Sequence, residues 1–194
     1  MFGIKKKISD FEAMEIFFDE LIKEVEHDYP LVLDILQRNR LMDYDTSKYD
    51  ASAITDKIWT AGMFVLNIVA IYQSYEREVA SVLYDRALVY LNGLINGEHQ
   101  IDYICGLAGK FAKRYLDFEQ LYESTHDSQM FPPVALLLII TSSISYGAYT
   151  EKPTEVFNNS PNFQVAFSEI NQIASEAQNI WRDIKANHTI KLLK

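Results

Sequence analysis

The chain has only four histidines, and each has a neighbour that would make it chemically useful. Arg182 and His188 are separated by Asp183-Ile184-Lys185-Ala186-Asn187. An arginine holds a phosphate through paired N–H bonds, and an imidazole titrating near neutrality moves a proton, so Arg182 could steady a phosphate while His188 handles a proton. Glu24 with His27 and Glu123 with His126 are two Glu-x-x-His pairs. That spacing sets a carboxylate and an imidazole on one helix face, as a bundle metal site requires. His27-Asp28 and His126-Asp127 are His-Asp dipeptides, and His99 and Asp183 would complete an H…HD…D ligand set with the second of them.

The segment Arg182-Asp183-Ile184-Lys185-Ala186-Asn187-His188 resembles the R-x(4–6)-H signature of HEPN ribonucleases, in which a polar residue often follows the arginine, as Asp183 does. The resemblance implies an all-α, usually dimeric protein whose paired arginine and histidine cleave RNA without metal. It covers seven residues of 194. The H…HD…D set resembles that of HD-type metal-dependent phosphohydrolases, but His126-Asp127 falls in a predicted loop where that family buries it in a helix. The simpler accounts are a histidine on a helix dipole and an arginine on a solvated face. Both Glu-x-x-His pairs lie at predicted helix ends, with His27 turned away from the apolar stripe that ends at Val25. No metal and no cofactor are expected. Gly106-Leu107-Ala108-Gly109-Lys110 is too short for a phosphate-binding loop, G-x-S-x-G is absent, and Cys105 reads as a packed thiol.

A different chemistry is suggested by acids beside tyrosines: Asp28-Tyr29, Asp43-Tyr44-Asp45 and Tyr49-Asp50. Tyrosine supplies stiff contact area with a polar tip, and aspartate complements lysine or arginine. Residues 10–56 hold 13 acids against four bases, a net −9 that equals the charge of the whole chain. Such a segment repels nucleic acid and attracts a basic protein. The sequence therefore predicts a protein-binding module, an inhibitor or immunity-type partner of a basic protein such as a nuclease toxin. Its contact would be Asp28, Tyr29, Asp43, Tyr44, Asp45, Tyr49 and Asp50. The second reading is the HEPN-like ribonuclease acting through Arg182 and His188, and a homodimer goes with it.

The elements that must position these residues are helical. Gly and Pro are few, and apolar segments are long. Pro132-Pro133 opens a run, Val134 to Ile140, without one polar residue, so a helix there must be buried on nearly all sides. Ile58 to Tyr72 is almost as apolar. The fold class is therefore all-α, a single-domain bundle of six to seven helices around two largely buried helices at about 58–72 and 134–149. Striped helices starting near Ser9, His99 and Ser160 would pack around that pair. Ser9 and Glu12 form a capping box, and Phe11, Met14, Phe18, Leu21 and Val25 make the first stripe. A separate short helix is expected from Pro30. Gly106 and Ala108-Gly109 are expected to admit a neighbouring helix closely. The last helix should run unbroken from Ser160-Pro161 through Trp181 and Ile184. Residues 1–8 read as a basic arm and 188–194 as a tail on one domain spanning 1–194. A lone cysteine and the lack of an apolar run after Lys5-Lys6-Lys7 predict a cytoplasmic protein. Membrane association through 58–72 and 134–149 is the remaining possibility.

Overall fold

The computed structural model describes residues 5–42, 51–74, 76–94, 98–125, 130–151 and 161–191. It is an all-α bundle. The helices are α1 (Asp10–Arg38), α2 (Ala51–Gln73), α3 (Arg77–Leu94), α4 (Glu98–Thr125), α5 (Pro132–Tyr146), α6 (Pro161–Ala177) and α7 (Ile180–Asn187). Two short strands, β1 (Lys6–Ser9) and β2 (His188–Lys191), flank them in sequence.

The two apolar helices are central. In α2 every residue from Ala61 to Asn67 is buried, and in α5 every residue from Ala135 to Ser145 is. The helix α2 packs against α3, α4 and α5, while α1 lies across α2, α6 and α7. By length and composition α2 could cross a membrane, yet 72% of its most apolar window is covered by the rest of the protein. Its apolar surface is thus already occupied by neighbouring helices. The helix α5 begins with prolines at its first positions and ends on Gly147, whose φ of 67° is the left-handed cap that glycine adopts without strain. That cap stops the helix at Tyr146, three residues before the end expected at 149. Inside it, Thr141, Ser142 and Ser143 each donate to the carbonyl four residues back at 2.8 Å, so their hydroxyls are satisfied within the helix. Ser145 instead donates to the Leu41 carbonyl and ties α5 to the end of α1.

Several sequence expectations are corrected. Pro30 does not start a new helix, because α1 runs through it to Arg38. A proline inside a helix forfeits the bond to the carbonyl four residues earlier. Both Pro30 and Glu26 face solvent, where water can serve that carbonyl, while Val32, Ile35 and Leu36 bury the continuing face. Ser9 does form the capping box with Glu12. Phe11, however, is 54% exposed, and Ala13, Met14, Phe17, Phe18 and Leu21 face the core. The last helix breaks at Gln178-Asn179 into α6 and α7. The arm and the tail pair as parallel strands, Lys6 opposite His188 and Ser9 opposite Lys191, with Ile8 buried beneath.

Gly106 and Gly109 are exposed with nothing within 4 Å of where a Cβ would stand, so they admit no neighbour. The close approach is at Gly62 of α2, where a built Cβ would lie 2.7 Å from Ile140 Cγ2 of α5. Glycine is required there because the two central helices meet backbone to side chain. The helix α3 includes Asn92-Gly93 and ends at Leu94, while Asn96-Gly97 lies outside the described residues.

Candidate functional site

Continuity of α1 through Pro30 decides where its acids point. Positions 28 and 29 fall on the same face as Val25 and Val32, and that face is the core. Asp28 is 6% exposed and Tyr29 8%, so neither belongs to an open contact surface. The Tyr29 hydroxyl shares a hydrogen bond with Thr55 Oγ1 of α2, a fully buried residue. Burial pushes the Asp28 carboxyl up to about 6, with Glu24 and Glu176 adding to the rise and His27 opposing it. Asp43, Tyr44, Asp45, Tyr49 and Asp50 lie outside the described residues.

The acidic surface that is described is the solvent side of α1. Glu12, Glu15, Asp19, Glu26 and Asp34 are all exposed there. Their spacing of three, four and seven residues sets the first four in one stripe along the helix. Bases along it are few: Lys23 pairs with Glu20 at 2.7 Å, and Arg38 lies 3.7 Å from Asp34 and also bonds Glu169 of α6. Phe11 near one end of the helix and Leu31, 46% exposed, toward the other are large apolar groups also open to solvent, on opposite flanks of this stripe.

Arg182 and His188 line different, adjoining cavities. Arg182 is on the solvent side of α7, its side chain 74% exposed and its Nε 3.8 Å from Asp183 Oδ1. It lines a cavity of about 500 Å³ with Ala70, Ser74 and Asn179. His188 has left the helix to become the first residue of β2, with Nδ1 3.2 Å from the Ile184 carbonyl. It lines another cavity, of about 440 Å³, with Lys5, Glu76 and Thr189. Trp181 and Lys185 belong to both cavities. Between them Glu76, at the start of α3, accepts from Trp181 Nε1 at 2.8 Å and pairs with Lys185. Lys5 donates to the Lys185 carbonyl at 2.9 Å. These contacts fasten the two ends of the chain to the α2–α3 connection, which is a structural role.

The metal motifs are described only in part. His27 and Glu123 face solvent and Glu24 is half-exposed, while His126, Asp127 and the His99 side chain lie outside the described residues. Among the described residues no three His, Cys, Asp or Glu side chains gather as a metal site would need.

A cavity that sequence reasoning missed lies among α2, α3 and α4. It has a volume of about 280 Å³, near the lower end of the roughly 300–1,000 Å³ usual for small-molecule sites. Val65, Ile68, Val69, Ala80 and Ala112 form its apolar walls, and Tyr72, Tyr84 and Tyr115 its aromatic ones. Tyr84 stacks on Phe64 with ring centroids 5.8 Å apart. Burial, with Glu119 nearby, pushes the Tyr115 phenol up to about 12, so it stays a neutral hydroxyl. It donates to Glu119 at 3.1 Å and accepts from Gln73 at 3.2 Å. Arg77 also lines the cavity, with its guanidinium carbon 4.9 Å from the Tyr72 ring centroid. The signal available in the sequence was three tyrosines on the inner faces of neighbouring helices, which reads equally as ordinary core.

No protein-family model, no curated protein and no solved structure matches this chain.

Proposed function

We propose that the protein is an acidic protein-binding module whose solvent face of α1 covers a basic partner, in the manner of an inhibitor or immunity-type protein. The observation that carries this reading is the row of exposed carboxylates, Glu12, Glu15, Asp19, Glu26 and Asp34, with Phe11 and Leu31 exposed on the same helix. Carboxylates in a row speed encounter with a lysine- and arginine-rich surface and set its register, and Phe11 and Leu31, one on each flank of the row, are apolar contacts at its edges. At about 1.5 Å per residue, the 29 residues of α1 give a face long enough for a standard interface. The segment 43–50, with Asp43, Tyr44, Asp45, Tyr49 and Asp50, belongs to the proposed contact by its acids and tyrosines alone. Asp28 and Tyr29 have no part in it.

The test is affinity capture from a lysate of the native cell with the wild type and with Glu15→Lys, Asp19→Lys and Glu26→Lys combined. All three positions are exposed, so the fold should be retained, which circular dichroism checks. The reading expects a basic protein on the wild type, released by high salt and missing from the triple variant. Equal recovery by both proteins, or recovery of no basic protein, refutes it.

A further inference from the structure

Among the described residues, Arg77 is the one cation lining the carbon-walled cavity among α2, α3 and α4. Among the described residues no carboxylate lies within ion-pair distance of it. Its guanidinium rests on Tyr72 and stays open to solvent. In a chain of net charge −9, this cation therefore stands beside an apolar cavity with no carboxylate paired to it among the described residues. Two other polar side chains of the lining are engaged or turned outward. Tyr115 is bonded to Gln73 and Glu119, and Ser81 faces solvent. Leu116, 56% exposed, adds apolar surface on the α4 side.

We infer that this cavity binds a small amphipathic carboxylate, its aliphatic chain among Val65, Ile68, Val69, Ala80 and Ala112 and its carboxylate on Arg77. Charge complementarity decides the occupant. An uncharged apolar molecule would leave Arg77 unused, and a cation would be repelled by it. Arginine meets a carboxylate through two parallel N–H bonds, and the Tyr72 face holds the guanidinium plane while it does so. The cavity is on the α2–α3–α4 side of the bundle and uses no residue of the α1 face. The inference therefore stands or falls separately from the protein-binding reading.

The test uses decanoate, decanol and decyltrimethylammonium below their micellar concentrations, titrated into the full chain by calorimetry. Decanoate should bind about tenfold tighter than decanol, the value of one charge-assisted contact, and decyltrimethylammonium more weakly than either. Arg77→Gln should bring decanoate down to the decanol level and leave decanol unchanged. Ser81→Trp, a substitution at an exposed position on the rim, should weaken decanoate and decanol together by filling the cavity. Equal affinities for the anion and the cation overturn the inference, as does failure of decanoate to bind. Binding that Ser81→Trp does not touch overturns it too, by placing the ligand elsewhere. Self-association that Ser81→Trp abolishes would make this face an interface between two copies, which likewise overturns it.

Discussion

Replacing Gly62 by alanine tests the packing of the two central helices. A methyl built on Gly62 would stand 2.7 Å from Ile140 Cγ2 and 2.8 Å from both Cγ1 and Cδ1. Carbon atoms prefer separations of about 3.5–4.0 Å, so three atoms would have to move by nearly an ångström. Ile140 is fully buried, and a β-branched residue in a helix has essentially one χ1 rotamer, so it cannot swing aside. The upper end of the overpacking range, about 3 kcal/mol, therefore applies. The helix-propensity gain of alanine over glycine, about 1 kcal/mol, offsets part of it. The net expectation is a loss of about 2 kcal/mol, or a Tm lower by about 4–8 °C in a chain of this size. Gly106→Ala and Gly109→Ala are the controls. Both are exposed in α4 with nothing within 4 Å, so each should gain up to about 1 kcal/mol. Thermal and urea unfolding followed by circular dichroism measure all three. Ile140→Ala alone should cost about 2–5 kcal/mol, and combined with Gly62→Ala less than the sum, since the new methyl enters the vacated space. If Gly62→Ala is as stable as Gly106→Ala, the backbone-to-side-chain contact between α2 and α5 is not as described.

Two further predictions concern buried polar groups. Burial raises the Asp28 carboxyl from 3.8 to about 6, so the folded protein keeps a proton that the unfolded chain releases between those values. The stability from that neutral acid is complete below the unfolded value and is lost as pH rises through about 6, a difference of about 3 kcal/mol at most. Asp28→Asn should therefore raise the Tm at pH 7 while leaving it nearly unchanged at pH 4, and an equal shift at both would exclude this origin. Glu76→Ala strands the Trp181 indole N–H, on a residue 6% exposed, and should cost about 1–3 kcal/mol. Glu76→Gln keeps an acceptor for that N–H and should recover much of the loss in urea unfolding. Equal losses for the two variants would show that the indole bond is not what Glu76 contributes.

What the sequence made readable was burial on long scales. The run from Val134 to Ile140 and the span from Ile58 to Tyr72 have too few polar positions for a water-exposed face, and most of their residues are buried. The helix starts at Ser9 and at the Pro132 pair were equally plain, because caps and first-turn prolines are local chemistry. The phase of Asp28 and Tyr29 was also present, as the continuation of Val25 toward Val32. It was hidden by reading Pro30 as a break, when solvent exposure lets the helix tolerate it. Three features had no local signal. Gly62 is explained by Ile140, far along the chain, and not by its own neighbours. The pairing of β1 with β2 joins the two ends of the sequence, and KKIS or HTIK alone would not disclose it. That pairing turns His188 out of the helix that Arg182 occupies, so the two residues do not share one helix face.

The central claim concerns the exposed face of α1, and its most direct measurement is the salt-dependent recovery of a basic protein by that face. At low ionic strength the wild type should retain the partner, and at about 1 M salt, where charges are screened beyond about 3 Å, it should release it. The Glu15→Lys, Asp19→Lys, Glu26→Lys protein should retain none under either condition. A partner held equally well by the wild type and the charge-reversed protein at both salt concentrations would contradict the account.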